Sequence, residues 1–468
     1  MINVYPFNGL PVAVFGLGRS GLATAHALMN SGADVWAWDD NEDARAAAAG
    51  EDVPLVDLYL CNWEELTSLV LSPGIPLNFP EPHPLVAMAR KAGLEIIGDV
   101  ELLARSEAES KYVGITGTNG KSTTTSLIGH ILKAAGKEVE VGGNLGTPAL
   151  SLRPVSETGI YVLEMSSYQL ELAYMLTFEV AVLLNISPDH LDRHGGMDGY
   201  LRAKKMIFRR QGLGQTSIIG VDDDYCRQIY KELKAGDQTV IPVSGLAPVR
   251  NGVYAEGGLL IDDTKNKAMP VLDLTSVSVL PGVHNWQNAA AAYAVCRALG
   301  VDAKAIAAGL QSYPGLAHRQ ERVAVIDGIT YINDSKATNP DSAARALACY
   351  DNIYWIAGGR AKEAGLADID PHLVRVRHVY LIGESAADFA AALKGKVDTT
   401  QSGDLASAIN QARLQAVKEK AANDDGGAVV LLSPAAASFD QFRNFEDRGD
   451  VFRALVESLP GERGESAA

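Results

Sequence analysis

A glycine loop set between two hydrophobic patterns constrains this chain more than any other feature. Gly114-Ile115-Thr116-Gly117-Thr118-Asn119-Gly120-Lys121-Ser122-Thr123 follows the apolar pair Tyr112-Val113 and precedes Leu127, Ile128, Ile131 and Leu132 at helical spacing. That order is strand, loop, helix. Glycines let backbone N–H groups curl around a phosphate, Lys121 adds a point charge, and the Ser122 hydroxyl stands where Mg²⁺ is ligated in such loops. The spacing departs from the usual G-x-x-x-x-G-K-S/T. Ile115 occupies the slot of the first glycine, with Gly114 and Gly117 on either side.

A second glycine loop lies near the start. Pro11 to Phe15 reads as a buried strand, Gly16-Leu17-Gly18-Arg19-Ser20-Gly21 follows, and an alanine-rich helix runs from Leu22 to Met29. Strand Asp34 to Trp38 then ends in Asp39-Asp40, an acidic pair about 20 residues downstream. The arrangement suits NAD or any nucleotide diphosphate carrying a ribose-like hydroxyl. The Ser72-Pro73-Gly74 turn at the end of a further strand offers more N–H groups to an anion.

With 468 residues the chain exceeds one core. The composition turns polar around residues 98–110, and a Pro-Gly pair falls at 314–315. The domains expected are therefore 1–108, 109–315 and 316–468. The fold class expected is α/β: an N-terminal Rossmann-like domain, a central ATP-loop domain with a small β excursion over residues 216–280, and a C-terminal Rossmann-like domain. Runs at Ser217-Ile218-Ile219, 240–243, 252–261 and 277–280 supply the excursion. A formal charge of −16 disfavours a nucleic-acid surface. Cys61, Cys226, Cys296 and Cys349 have no paired spacing, which fits a reducing cytoplasm and argues against zinc. No signal peptide and no membrane span are expected.

In the central part, strand Ile160 to Glu164 leads into Met165-Ser166-Ser167-Tyr168-Gln169-Leu170. An acidic residue at the carboxyl end of a strand beside a phosphate loop suits Mg²⁺. The apolar strand Val180 to Ile186 delivers Ser187-Pro188-Asp189-His190, with His194 four residues on. Pro188 and Gly195-Gly196 interrupt a regular helix and no third soft ligand is evident, so His190 near Mg²⁺ and phosphate is expected rather than a zinc pair. Tyr200 to Phe208 reads as a helix carrying Lys204 and Lys205. Asn285 and Asn288, three apart at a helix start, are caps or readers of a nucleotide base. Polar loops at consecutive strand ends of the C-terminal part, including Asn333 to Pro340, Gly358 to Lys362 and Ser433 to Asp440, point to one ligand-binding edge.

Several segments together resemble the ATP-dependent Mur ligases. They are Gly117 to Ser122, Glu164 to Leu170, His284-Asn285 with Asn288, His318-Arg319, and Asn333-Asp334-Ser335-Lys336-Ala337-Thr338-Asn339. Leu432-Ser433-Pro434 followed by Ser438-Phe439-Asp440-Gln441-Phe442 is specific to the branch acting on D-glutamate, whereas the ATP loop is shared with folylpolyglutamate synthases. The resemblance spans nearly the whole chain. It implies a monomeric cytoplasmic ligase of peptidoglycan precursor synthesis that joins D-glutamate to UDP-N-acetylmuramoyl-L-alanine through an acyl phosphate.

By the same resemblance ATP lies on Gly117, Thr118, Asn119, Gly120, Lys121, Ser122 and Thr123, with Asn288, Arg319 and Asp334. Two Mg²⁺ sites involve Ser122, Glu164, His190 and Lys204, the last carbamylated, although the adjacent Lys205 is a rival for that role. The UDP part, rather than NAD, takes Gly18, Arg19, Ser20, Asp39, Ser72, Pro73 and Gly74. Asn144, Ser166 and Gln169 touch substrate, and Lys336 sits near the phosphates. Thr338, Lys362, Ser438 and Phe445 surround D-glutamate. A folylpolyglutamate synthase, a non-catalytic UDP-sugar-binding protein and, from Gly16 to Gly21 alone, a dehydrogenase are the rival readings.

Overall fold

The computed structural model describes residues 1–144, 146–361, 365–422 and 427–464, with the side chains of 367 and 420–422 left aside. Among these, the chain forms three sheets, and the mixed α/β class expected from the sequence is what is found. The first sheet comprises β1 (Pro11–Phe15), β2 (Asp34–Trp38), β3 (Ser68–Leu71) and β4 (Glu95–Ile97), all parallel, in the order β2-β1-β3-β4. The strand order reverses beside β1, so the loops leaving β1 and β3 open a crevice at the carboxyl edge, where such sheets bind ligands.

The second sheet comprises β5 (Lys111–Thr116), β6 (Val139–Gly143), β7 (Ile160–Glu164), β8 (Val180–Leu183), β9 (Thr216–Gly220), β10 (Thr239–Ser244), β11 (Val253–Glu256), β12 (Leu259–Asp262) and β13 (Met269–Asp273). Its order is β13-β12-β11-β10-β9-β8-β5-β7-β6. The strands from β6 through β11 run parallel, and β11-β12-β13 form an antiparallel meander. β7 and β8 are buried along their whole length, as parallel strands covered on both faces must be, which explains their unbroken apolar runs. β5 lies between β7 and β8, so the glycine loop leaves the middle of the sheet.

The excursion over 216–280 differs from expectation at its end. Val277 to Leu280 is not a strand; the Leu280 N–H donates to the Val277 carbonyl at 3.0 Å, and a turn buries both side chains. The alternation there was satisfied by a turn instead of a pleat. The last strand is β13, which the sequence concealed because Pro270 interrupts it, a residue an edge strand tolerates. The polar stretch at 98–110 includes a packed helix, Asp99–Ser106. Its Glu101 is wholly buried and accepts the Tyr174 and Met175 N–H groups at 2.7 and 2.9 Å and the Arg105 guanidinium at 2.9 Å.

The third sheet comprises β14 (Glu321–Ile326), β15 (Ile329–Asn333), β16 (Ile353–Gly358), β17 (Val376–Ile382), β18 (Thr399–Gly403) and β19 (Ala428–Leu432), ordered β14-β15-β19-β16-β17-β18. Only the β14–β15 hairpin is antiparallel. The chain divides into two compact units. One holds Met1–Ser276 with Asn285–Ser312, hence the first two sheets, and Val12, Val14, Leu163 and Leu183 share its main core. The other holds Val277–His284 with Tyr313–Ala468.

Candidate active site

The loop after β5 is a strained, clamped cradle. Gly117 and Gly120 have φ of 149° and 83°, backbone that L side chains rarely adopt, and a Cβ on Gly120 would strike the Asn288 amide. Gly120 caps the helix Lys121–Ala134, whose first N–H groups have no acceptor within the helix and so present an anion site. Lys121 Nζ donates to the Gly117 and Thr118 carbonyls at 2.8 and 2.7 Å. The neighbouring chain after β8 holds the loop from outside. Thr118 N–H donates to the Asn185 carbonyl and Asn119 N–H to Asn185 Oδ1, both at 2.9 Å. The Ser187 N–H donates to Thr118 Oγ1 at 3.0 Å, and Tyr200 OH lies 3.1 Å from the same hydroxyl.

A group of ionisable side chains gathers behind this loop. Lys204, on the helix Met197–Lys205, is buried and donates to Thr116 Oγ1 at 3.0 Å and to the Gly117 carbonyl at 2.9 Å. Burial, and secondly the charge of Lys121, drive its ammonium well below the usual lysine range, while Asp189 and Glu164 oppose. Lys205 differs: it is half exposed and paired with Glu232 at 2.5 Å. Glu164, buried at the end of β7, accepts the Asn144 amide at 2.7 Å. His190 sits in the left-handed region at φ 52°, with Nε2 3.4 Å from Asp189, and its ring lies 5.3 Å from that of Tyr168. His194 is buried and bonds Ser167 Oγ at 2.9 Å, so the two histidines do not form a metal pair.

Among the described residues no group of three or more His, Cys, Asp and Glu could hold a metal alone. One carboxylate and one hydroxyl beside a phosphate cradle fit Mg²⁺, which keeps waters and draws its remaining ligands from substrate phosphates. Glu164 and Ser122 are of that type, both buried at the loop.

At the edge of the first sheet, Asp39 braces its loop by accepting the Leu17 N–H at 2.6 Å and the Asn41 N–H at 2.8 Å. Ser72 Oγ donates to the Gly16 carbonyl at 2.7 Å, and the Gly21 position has no room for a Cβ against that same carbonyl. Gly18 caps the helix Arg19–Asn30, so Arg19 and Ser20 lie in its first turn. The Arg19 guanidinium donates to the Gly146 carbonyl, and Arg193 donates to the Gly74 carbonyl at 2.9 Å while lying 4.9 Å over the Tyr168 ring. Ser166 and Gln169 form a capping box on the helix Ser167–Glu171.

In the second unit the loops after β15 and β19 meet. Asp334 is buried, accepts Ser433 Oγ at 2.8 Å and the Gln320 N–H at 3.1 Å, and is pushed up to about 7 by burial, against the pull of Arg319. Lys336 Nζ lies 5.2 Å over the ring of Phe445, which opens the helix Phe445–Glu457. Thr338 N–H donates to the Lys336 carbonyl at 2.9 Å, and Ser438 is buried. Lys362 lies outside the described residues. A cavity of about 430 Å³ adjoins Arg319, with Val279, Leu316, Arg322 and Tyr350 in its wall.

Sequence reasoning missed two residues that hold this framework. Arg448 is wholly buried and donates to Ser335 Oγ, the Ser335 carbonyl and the Ala436 carbonyl at 2.9, 2.8 and 3.1 Å. Nothing in the helix pattern singled it out. Asn185 did carry a signal: it is the one polar residue within the apolar run Val180 to Ile186.

A phosphate cradle on a parallel sheet, followed by a second α/β unit with its own polar edge, is the frame of a nucleotide-binding α/β protein. Residues 115–296 match the Mur ligase middle domain, and residues 318–436 match the Mur ligase, glutamate ligase domain. The chain belongs to the Mur ligase family. It is 52% identical to a UDP-N-acetylmuramoylalanine–D-glutamate ligase of Rhodospirillum rubrum over 469 residues, covering 99% of this chain and 98% of the relative. A protein of the same name from Caulobacter vibrioides is 49% identical over 474 residues, covering 100% of both. Solved structures share the fold. A UDP-N-acetylmuramate-alanine ligase of Thermotoga maritima has a TM-score of 0.58 at 19% identity, covering 96% of this chain and 99% of its own. A folylpolyglutamate synthase of Mycobacterium tuberculosis has 0.53 at 17% identity, covering 78% and 94%.

Proposed function

We propose that this chain is an ATP-dependent ligase that joins D-glutamate to UDP-N-acetylmuramoyl-L-alanine in peptidoglycan precursor synthesis. The observation that carries this reading is the gathering of Lys121, Glu164 and buried Lys204 at the glycine loop, on a chain that matches ligases of that name from end to end. The folylpolyglutamate reading rests on fold alone. The dehydrogenase reading leaves the loop after β5 without a purpose. No helix among the described residues is long and apolar enough to cross a membrane. We take the enzyme to act in the cytoplasm as a monomer, with residues 1–108 for the UDP substrate, 109–315 for ATP and 316–468 for ATP and amino acid.

The chemistry is a phosphoryl transfer followed by an acyl transfer. A carboxylate oxygen of the alanyl end forms a bond to the γ-phosphorus, and the bond from that phosphorus to the β–γ bridging oxygen breaks, releasing ADP. The D-glutamate amine then attacks the carbonyl carbon, phosphate leaves, and the ammonium proton passes to solvent or a base. Lys121 and Lys336 offset charge on the transferring group, and catalysis is positioning and electrostatics. Bound Mg²⁺ supplies Lewis-acid neutralisation of phosphate charge. Ser122 and Glu164 would hold one ion, with Asn144 fixing the orientation of Glu164, and His190 with Lys204 would serve the other.

Burial beside another cation favours the neutral amine of Lys204, whose lone pair adds to CO₂ and releases a proton. Lys204 thereby becomes a carbamate, an anion suited to metal binding. Asn288, Arg319 and Asp334 hold the nucleoside. Gly18, Arg19, Ser20, Asp39 and the Ser72–Gly74 turn take the UDP moiety, and Ser166 and Gln169 its acyl end. Thr338, Ser438 and Phe445, with Lys362, receive D-glutamate.

The test is to incubate the protein with ATP, Mg²⁺, UDP-N-acetylmuramoyl-L-alanine and a panel of amino acids. ADP and a new amide are expected in equal amounts with D-glutamate. Equal ADP release with either co-substrate omitted would overturn the reading. In the same assay Lys204→Ala is expected to be nearly inactive and partly restored by acetate or formate. Full activity in that variant would remove the carbamate.

A further inference from the structure

We propose that Asn185 is a positioning residue of the nucleotide loop, setting the direction of its peptide groups and thereby the affinity for ATP. The inference rests on the reading of that loop as the ATP cradle.

Three bonds join Asn185 to two consecutive residues of the loop. Its carbonyl accepts the Thr118 N–H at 2.9 Å, its Oδ1 accepts the Asn119 N–H at 2.9 Å, and its Nδ2 donates to the Asn119 carbonyl at 3.1 Å. The side-chain amide thus pairs with the main chain of Asn119 as a second peptide would in a sheet. It extends the β5–β8 ladder, in which Thr116 is registered on Leu183, past the point where both strands end. An amide is the side chain suited to this because it offers an acceptor and a donor side by side.

The clamp has a consequence for the cradle. Once the Thr118 and Asn119 N–H groups are committed to Asn185, they face away from the anion. The peptides that follow, from Gly120 into the first turn of the helix, are left to meet phosphate. The departure of this loop from the usual spacing makes that restraint necessary. Ile115 fills the slot of the first glycine and is wholly buried in β5, so the loop turns late, at Gly117. Gly117 lies against the Asn185 backbone, where an added Cβ would come within 3.3 Å of its nitrogen and oxygen. Asn185 is itself held: its Nδ2 lies 3.5 Å from Gln287 Oε1, and Gln287 Nε2 donates to Asp222 at 2.8 Å.

The role is separable from folding because its readout is confined to one substrate. Asn185→Leu keeps the branched shape and removes both side-chain bonds to Asn119, and Asn185→Ser, which is smaller, is the second variant should the first fail to fold. We expect either to weaken binding of a non-hydrolysable ATP analogue, measured by calorimetry, by tenfold or more. The KM for ATP should rise equally, the KM values for the other two substrates should stay within twofold, and kcat at saturating ATP should stay within a few-fold. Unchanged analogue affinity in a folded variant overturns the proposal. So does a common fall in kcat and in all three affinities, which marks a merely structural role. Failure of the wild-type protein to bind the analogue would instead overturn the ATP reading of the loop.

Discussion

Burial has opposite consequences for charged side chains in this chain, depending on what meets them. Glu101 is wholly buried yet accepts two backbone N–H groups and a guanidinium, so its charge is compensated. Two residues earlier, Asp99 is equally buried but has no cation on it; the Val100 N–H at 2.9 Å and the Gln169 side chain are what favour its charged form. Burial pushes its carboxyl up from 3.8 to about 6. A carboxyl with a raised native pKa binds more protons folded than unfolded between those values. Its contribution to stability is therefore complete below about pH 4 and is lost as pH rises through 6. That rise in pKa corresponds to about 3 kcal/mol. Asp99→Asn puts a group that does not titrate in the same place, and should remove that loss. The urea midpoint should fall from pH 4.5 to pH 7.5 in the wild type and fall by less in the variant, where Asp334 still titrates in the same direction; parallel pH profiles would refute it. At this scale the chemistry-bearing loops were legible because Gly, Lys, Ser and Asp cluster at strand ends. The braces behind them were not. Arg448 donates to Ser335 and Asn333 donates to the Gly449 carbonyl across 113 and 116 positions, which no local pattern encodes.

At the scale of elements, buried parallel strands were the easiest to read, because covering both faces leaves an unbroken apolar run, as in β7, β8, β16 and β19. Edge strands were the hardest. β13 carries a proline, and Met269 and Pro270 are exposed, so its pattern is that of a loop. β5 shows a different kind of legibility. Gly114 reads as part of the phosphate loop, yet it stands inside the strand, flanked by buried Val113 and Ile115. Its reason is packing: a Cβ there would lie 2.5–2.7 Å from three carbons of the buried Phe178 ring. Gly114→Ala should cost about 1–3 kcal/mol, the usual penalty for overpacking a filled core. The expected signature is coupling, because Phe178→Leu in the same chain makes room and should recover part of the loss. Chemical denaturation of the two single variants and the double variant measures this, and strictly additive losses would show that Phe178 is not what excludes the side chain.

For the whole molecule, the division into two compact units with separate cores makes a single cooperative transition unexpected. Calorimetry of the free protein should give a van't Hoff enthalpy well below the calorimetric one. The proposed sites then distinguish the transitions. Gly18, Arg19, Ser20, Asp39, the Ser72–Gly74 turn and Asn144 all lie in the unit that holds the first two sheets, whereas Thr338, Ser438 and Phe445 lie in the other. A ligand that binds only native protein stabilises the unit it touches by RT ln(1 + [L]/Kd), about 2.7 kcal/mol at one hundred times Kd. UDP-N-acetylmuramoyl-L-alanine without ATP should therefore raise one transition and leave the other in place. D-Glutamate, if it binds alone, should act on the other. A UDP substrate that raised both transitions equally would mean either that the units unfold as one or that its site draws on residues of both.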